Sequence, residues 1–285
     1  MQDNEPFTPP SRSRGLVLLL AFAPMTNSGA THASESAPVV TNEWKMLAPL
    51  PDPVGYAGMF AGVLQGRLVA GGGSQWDKPA WVNGTKRYSD RMFALATSAG
   101  NWVELPVKVP YKGGYFASAA TGEAIYVAGG IDPAGCQRSV FKLHVQGDGL
   151  VFEHLPDLPH PVGYGAAAVA AGRLYVVGGM NLPDAKAARA ETWSLALTGS
   201  SKGEGWRREA DLPGTGVFVA CAAAEAGQVY VFGGMEFTAA GKYASSAHAY
   251  RLNTATGKWE QLPDLPEPRV GASNPGRASR VERLN

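Results

Sequence analysis

An all-β fold of the β-propeller type is predicted by three features of this 285-residue sequence. The run Val69-Ala70-Gly71-Gly72 returns as Val127-Ala128-Gly129-Gly130, Val176-Val177-Gly178-Gly179 and Val231-Phe232-Gly233-Gly234. Short apolar runs are separated by turn residues throughout, with 36 glycines and 21 prolines in the chain, the pattern of many short strands. Each repeat also carries an aromatic residue (Trp102, Phe152, Trp206 or Trp259) shortly before a Leu-Pro pair.

The glycine pairs recur roughly every 50 residues, the period of kelch-type blades, and each repeat holds four strands. The first repeat predicts strands over 57–64, 67–72, 91–96 and 102–106, with a loop over 73–89. The second predicts two strands within 115–130, then 140–145 and 151–156. The third uses 165–170, 174–179, 191–197 and 206–213, and the fourth 217–224, 229–234, 246–252 and 259–263. Each glycine pair is expected to allow a tight exit from the second strand, where a side chain would clash or φ must be positive. The tryptophans are expected to pack between blades.

The segment 43–50 reads as a fourth strand without its own blade, the element that would close a ring. A fifth repeat begins at Arg269-Val270-Gly271-Ala272-Ser273, after which 274–285 shows no strand alternation. The expected organisation is therefore a signal peptide over 1–33, a linker over 34–42, an incomplete propeller of four complete blades over 43–273 and a non-repeat tail over 274–285. An arc of this kind is expected to expose apolar blade faces and strand edges.

Composition narrows the function. With 45% hydrophobic and 17% charged residues and a formal net charge of +1, the chain is globular and offers no basic footprint for nucleic acid or an acidic membrane. Arg12 and Arg14, the apolar run 15–25 and small residues at 30–33 read as a secretory signal, so the expected location is the periplasm or outside the cell, with no membrane attachment after cleavage. Cys136 and Cys221 are the only cysteines, too few for a disulfide framework. The five histidines are dispersed with no close-spaced metal pair, and neither a phosphate-binding glycine loop nor a Gly-x-Ser-x-Gly elbow is present.

In an up-and-down blade, the loop after the second strand and the link to the next blade share one end of the channel. Those segments are long and varied here, whereas the other end has tight turns at 65–66, 171–172 and 226–227. Function is expected on the loop-rich face. In the loop 73–89, Trp76, Trp81, Lys86 and Arg87 combine aromatic and cationic groups suited to a carboxylated sugar, or simply form a solvated loop pinned by its tryptophans. In the fourth repeat, Glu236 follows the glycine pair, with Lys242 and Tyr243 beyond it. A partly desolvated carboxylate there could serve as a general base, or cap a turn as Asp132 and Asn181 could at the equivalent positions.

The run 55–63 (GYAGMFAGV), Ala70-Gly71-Gly72, Pro79-Ala80-Trp81, Gly84, Lys86 and the strand 90–95 resemble the cyclically permuted mutarotase group related to N-acetylneuraminate epimerase, over roughly Trp44 to Gly271. The resemblance implies a six-bladed, exported, cofactor-free enzyme that interconverts sialic acid anomers through the open-chain form. Such chemistry needs a base at the anomeric hydroxyl, an acid at the ring oxygen and a cation for the carboxylate. Glu236 matches the family's proposed proton acceptor; the arginine that follows it in the family is replaced here by Lys242 or Tyr243. A noncatalytic kelch module binding a glycan or a protein, or an inactive remnant, are the alternatives.

Overall fold

A computed structural model describes residues 46–198 and 203–270. The expected signal peptide, linker and C-terminal tail lie outside these residues. Blade 1 comprises β1 (Phe60–Leu64), β2 (Arg67–Gly71), a projecting hairpin of β3 (Ser74–Trp76) and β4 (Lys86–Tyr88), then β5 (Met92–Leu95) and β6 (Val103–Glu104). Blade 2 has β7 (Ala117–Ala120), β8 (Ala124–Ala128), a short hairpin of β9 (Ile131–Asp132) and β10 (Gly135–Cys136), then β11 (Val140–Gln146) and β12 (Gly149–Leu155). Blade 3 has β13 (Ala166–Ala170), β14 (Arg173–Val177), β15 (Thr192–Ala196) and β16 (Arg207–Arg208). Blade 4 has β17 (Cys221–Glu225), β18 (Gln228–Phe232), the hairpin β19 (Met235–Phe237) and β20 (Tyr243–Ser245), then β21 (Ala249–Asn253) and β22 (Lys258–Leu262). Every blade is an antiparallel meander. No α-helix occurs among the described residues; Ala80–Val82 form a single 3₁₀ turn.

The second strands of blades 2 and 3 are apolar on both faces because those blades are covered on both sides. In β8, Ile125 and Val127 join Phe60, Leu64 and Val69 of blade 1, while Ala124, Tyr126 and Ala128 join Ala167, Leu174 and Val176 of blade 3. Alternation along a strand sends successive side chains to opposite faces, so one pentapeptide serves two cores. In β14, Tyr175 and Val177 face Val229 and Val231 of blade 4. The first strands are built of small residues (Ala-Ser-Ala-Ala in β7, Ala-Ala-Ala-Val-Ala in β13) because blades converge at the axis. A Cβ on Gly62 would already lie 2.6 Å from the Ala120 Cβ. The outward face of blade 1 leaves Val63 half exposed, at 50%.

The glycine pairs form the seam between blades, with one correction of register. Gly129-Gly130, Gly178-Gly179 and Gly233-Gly234 all have positive φ, but their counterparts in blade 1 are Gly72-Gly73, at φ +68° and +97°, rather than Gly71-Gly72. The hydrogen bonds prove the equivalence: the second glycine N–H of each pair donates to the link into the next blade. The acceptors are Gly113 (2.7 Å), Val162 (2.7 Å), Val217 (2.8 Å) and Arg269 (2.8 Å). Positive φ aims that N–H sideways out of the blade, and a Cβ on the first glycine would collide with the same carbonyl.

The first strands also begin later than their sequence pattern suggests. In blades 2, 3 and 4 the strand is preceded by a left-handed residue that is not glycine: Tyr115 (φ +58°), Tyr164 (+59°) and Val219 (+55°), with Gly58 (+68°) in blade 1. These corners hydrogen-bond in series around the channel. Tyr115 N–H donates to Gly58 O (2.7 Å), Tyr164 N–H to Tyr115 O (3.0 Å) and Val219 N–H to Tyr164 O (2.9 Å). A β-branched residue at positive φ is costly, on the order of 1–3 kcal/mol, and persists only where its surroundings impose it.

The tryptophans bridge blades as expected, and through a specific bond. The indole N–H of Trp206 donates to Pro156 O (2.8 Å) and that of Trp259 to Ala210 O (3.0 Å), each acceptor lying at the end of the preceding blade. Trp102 donates likewise to Ala48 O (2.9 Å). The segment expected as a strand over 43–50 therefore occupies the place of a preceding blade's exit, but its described part, 46–50, forms no strand. Phe152 fills the equivalent place in blade 2 and packs against the cluster between blades 1 and 2, without a donor.

Candidate functional site

The three hairpins that follow the second strands stand on the same end of the propeller as the blade links, and their pairing decides which side chains meet. In β3–β4, Ser74 pairs with Tyr88, Gln75 with Arg87 and Trp76 with Lys86. Cross-strand partners share a face and neighbours along a strand do not. Ser74, Tyr88, Lys86 and Trp76 thus share one face, and Gln75 and Arg87 the other.

The first of these faces turns to the channel mouth. Ser74 Oγ lies 3.1 Å from the Tyr115 hydroxyl, and Lys86 Nζ sits 4.3 Å from the Tyr115 ring centroid and 5.2 Å from that of Tyr88. The row continues along the corners: Tyr115 and Tyr164 rings are 4.9 Å apart, Tyr164 and Phe218 6.3 Å, and Phe218 stacks on Phe237 at 5.5 Å. Tyr243 closes it with edge contacts to Phe218 and Phe237, both at 6.1 Å. Burial pushes the Tyr164 phenol up to about 12, and the Tyr88 phenol upward too, so both stay protonated donors at neutral pH.

The opposite face carries different chemistry. Gln75 Nε2 donates to Asp52 Oδ1 (2.8 Å), and Arg91 reaches Asp52 (2.6 Å) and Glu104 (2.7 Å). Hydrogen bonds from Arg91 and Lys108 hold the Glu104 carboxyl down at about 2. In β19–β20, Glu236 pairs with Ala244, whereas Met235 and Phe237 pair with Ser245 and Tyr243. Met235 and Phe237 pack on Phe218, so Glu236 faces away from the aromatic row. Its Oε1 accepts from Ser246 Oγ (2.7 Å) and lies 2.7 Å from His248 Nδ1. Its side chain is 23% exposed and that of His248 40%.

The sequence-derived candidates therefore divide into separate groups. Lys86 and Trp76 lie on the mouth face of blade 1 and Tyr243 at the far end of the same aromatic row, while Arg87 points the other way with Gln75. Trp81, 86% exposed, stands out on its 3₁₀ turn. Lys242 is an exposed residue of the β19–β20 turn whose carbonyl accepts from Thr238 N–H (2.6 Å). Of the polar residues equivalent to Glu236, Asp132 caps its own hairpin through Ala134 N–H (2.7 Å) and Gly135 N–H (3.1 Å). Cys136 and Cys221 are both half-buried, Cys136 in β10 rather than in a plain loop.

Three groups escaped the sequence reading. Ser246 and His248 lie after the hairpin that returns the chain beside Glu236. Tyr115 sits in what reads as strand and Tyr164 just before one. The third is on blade 3, where Glu191 meets His160, Arg189 (2.5 Å) and the Trp193 indole (3.0 Å). Burial opposes ionisation of Glu191, but the Trp193 and His160 hydrogen bonds outweigh it and hold the carboxyl below its ordinary range. Glu191 occupies the place in blade 3 that His248 holds in blade 4, since Gly178 N–H donates to Glu191 O and Gly233 N–H to His248 O, both at 2.9 Å.

The kelch motif matches residues 220–266, the whole of blade 4. With four four-stranded blades in a meander around one axis, that match decides the architecture. The fold is a kelch-type β-propeller. A solved structure described as "Structure of YjhT" is similar to it with a TM-score of 0.66 at 15% sequence identity, covering 82% of this chain and 78% of the other. No curated protein matches the sequence. The kelch architecture thus sets three hairpins and four left-handed corners around one channel mouth.

Proposed function

We propose that this kelch propeller is a carbohydrate mutarotase of the N-acetylneuraminate epimerase kind, acting on a sialic acid without a cofactor, after export to the periplasm or beyond. The observation that carries the reading is the Glu236–His248 pair, a carboxylate and an imidazole 2.7 Å apart on the loop-rich end, both open to solvent. Glu236 takes the proton of the anomeric hydroxyl as the bond from the anomeric carbon to the ring oxygen breaks. Protonated His248 supplies the proton that the ring oxygen gains. Transfer between the two residues restores their starting state, and rotation in the open chain lets the ring reclose as the other anomer. Lys242, on the turn of the same hairpin, is the cation assigned to the substrate carboxylate.

One observation favours a noncatalytic sugar-binding module instead: Glu236 and the aromatic row lie on opposite faces of the hairpin. Anomer exchange of N-acetylneuraminate, followed by proton NMR, separates the two. The mutarotase reading expects acceleration by the protein and loss of at least about 100-fold of it in Glu236→Gln. A folded protein that gives no acceleration overturns the reading in favour of the module.

A further inference from the structure

We propose that Tyr115, Tyr164 and Lys86 form a seat at the channel mouth for a pyranose bearing a carboxylate, separate from the Glu236–His248 pair. The inference rests on the sugar-acid reading for its class of ligand and not on catalysis at Glu236.

Two tyrosines placed at successive corners in the left-handed conformation are the first ground. Glycine occupies this corner in blade 1, where the conformation costs nothing, yet blades 2 and 3 put partly exposed phenols there at φ +58° and +59°. Gly58 also leaves the room for the first ring: a Cβ there would lie 2.6 Å from Tyr115 Cδ1. The pair, 4.9 Å between centroids and tilted by 50°, is partly exposed aromatic surface. Such a surface stacks on the C–H face of a sugar ring while the phenols bond to its hydroxyls.

The cation is the second ground. Lys86 Nζ is held over the Tyr115 and Tyr88 rings, and no carboxylate among the described residues forms an ion pair with it. The acidic group that acts on Tyr88 is Asp132, whose Oδ1 is already taken by Ala134 N–H, Gly135 N–H and Gln137 Nε2 (2.8 Å). An ammonium seated on aromatic faces but lacking a counter-ion is complementary to an anion. Arg87, one residue on, faces away and cannot replace it.

The test is saturation-transfer NMR on the full chain with glucuronate and glucose as probes, with anomer exchange of N-acetylneuraminate run in parallel. Wild-type protein should bind glucuronate more tightly than glucose. Lys86→Met, at a hairpin strand outside the blade cores, should weaken glucuronate binding about tenfold and leave glucose within twofold. Tyr164→Phe keeps the ring and should retain most binding, whereas Tyr164→Leu should weaken both sugars. Equal binding of the two sugars by wild type, or glucuronate binding unchanged in Lys86→Met, overturns the seat. Glucuronate binding lost in Lys86→Met without any anomer exchange supports the seat and sinks the mutarotase; exchange that Lys86→Met leaves untouched, with unchanged binding, does the reverse.

Discussion

Replacing Gly179 by alanine tests whether the glycine pairs are required by conformation alone or by the seam between blades. Gly179 has φ +87°, and an added Cβ would lie 2.7 Å from Gly163 O, 2.9 Å from Val162 Cγ1 and 3.0 Å from Gly165 Cα. Two of these are backbone atoms, and the Gly163 carbonyl is fixed by a 2.8 Å bond from Met180 N–H. Gly66 supplies the control: its φ is +79°, but nothing lies within 4 Å of an added Cβ. Both substitutions incur the conformational penalty of about 1 kcal/mol. Gly179→Ala adds an overpacking cost of about 2 kcal/mol, giving about 3 kcal/mol in total. At the scale of 2–4 °C per kcal/mol for about 200 residues, Tm should fall by about 3 °C for Gly66→Ala and about 9 °C for Gly179→Ala. Thermal melts followed by circular dichroism measure both. Equal shifts would refute the seam argument and leave only the φ requirement.

Trp206→Phe removes the indole bond to Pro156 O and should lower Tm by about 3 °C, a loss of about 1 kcal/mol; an unchanged Tm would mean the bond adds nothing to blade cohesion. The Glu104 carboxyl, held at about 2 by Arg91 and Lys108 against an ordinary value of 4.5, contributes stability that is present above the ordinary carboxylate range and lost as pH falls through about 2. The Tm gap between wild type and Glu104→Gln should therefore close between pH 5 and pH 2, and solvent screening keeps it small throughout. His248→Asn should slow anomer exchange as Glu236→Gln does while the circular dichroism spectrum stays unchanged; full activity in this variant would remove His248 from the proposed acid–base pair.

Much of the scaffold is legible from the sequence because it is repeated. Four apolar runs closed by glycines, each followed by an aromatic and a Leu-Pro pair, specify blades without reference to any one residue's surroundings. The tryptophans were readable for the same reason, although the carbonyls that receive their N–H groups belong to neighbouring blades. Glu236 was legible as a polar residue after a glycine pair, and its equivalence to Asp132 is preserved in the structure. Its direction was not legible, because a hairpin's register fixes which face each side chain takes and a shift of one residue exchanges the faces.

What the sequence determined by itself is the repeating unit, since strand periodicity and turn residues act over a few positions. The register of the first glycine pair was decided by tertiary structure: three consecutive glycines are chemically alike, and only the bond from Gly73 N–H to Gly113 O selects the pair. The same holds for the corners at Tyr115, Tyr164 and Val219. Local preference disfavours a left-handed tyrosine or valine, but a series of backbone hydrogen bonds around the channel imposes it. The candidate seat follows from that constraint, because residues 115 and 164 stand side by side only once neighbouring blades have closed on one another.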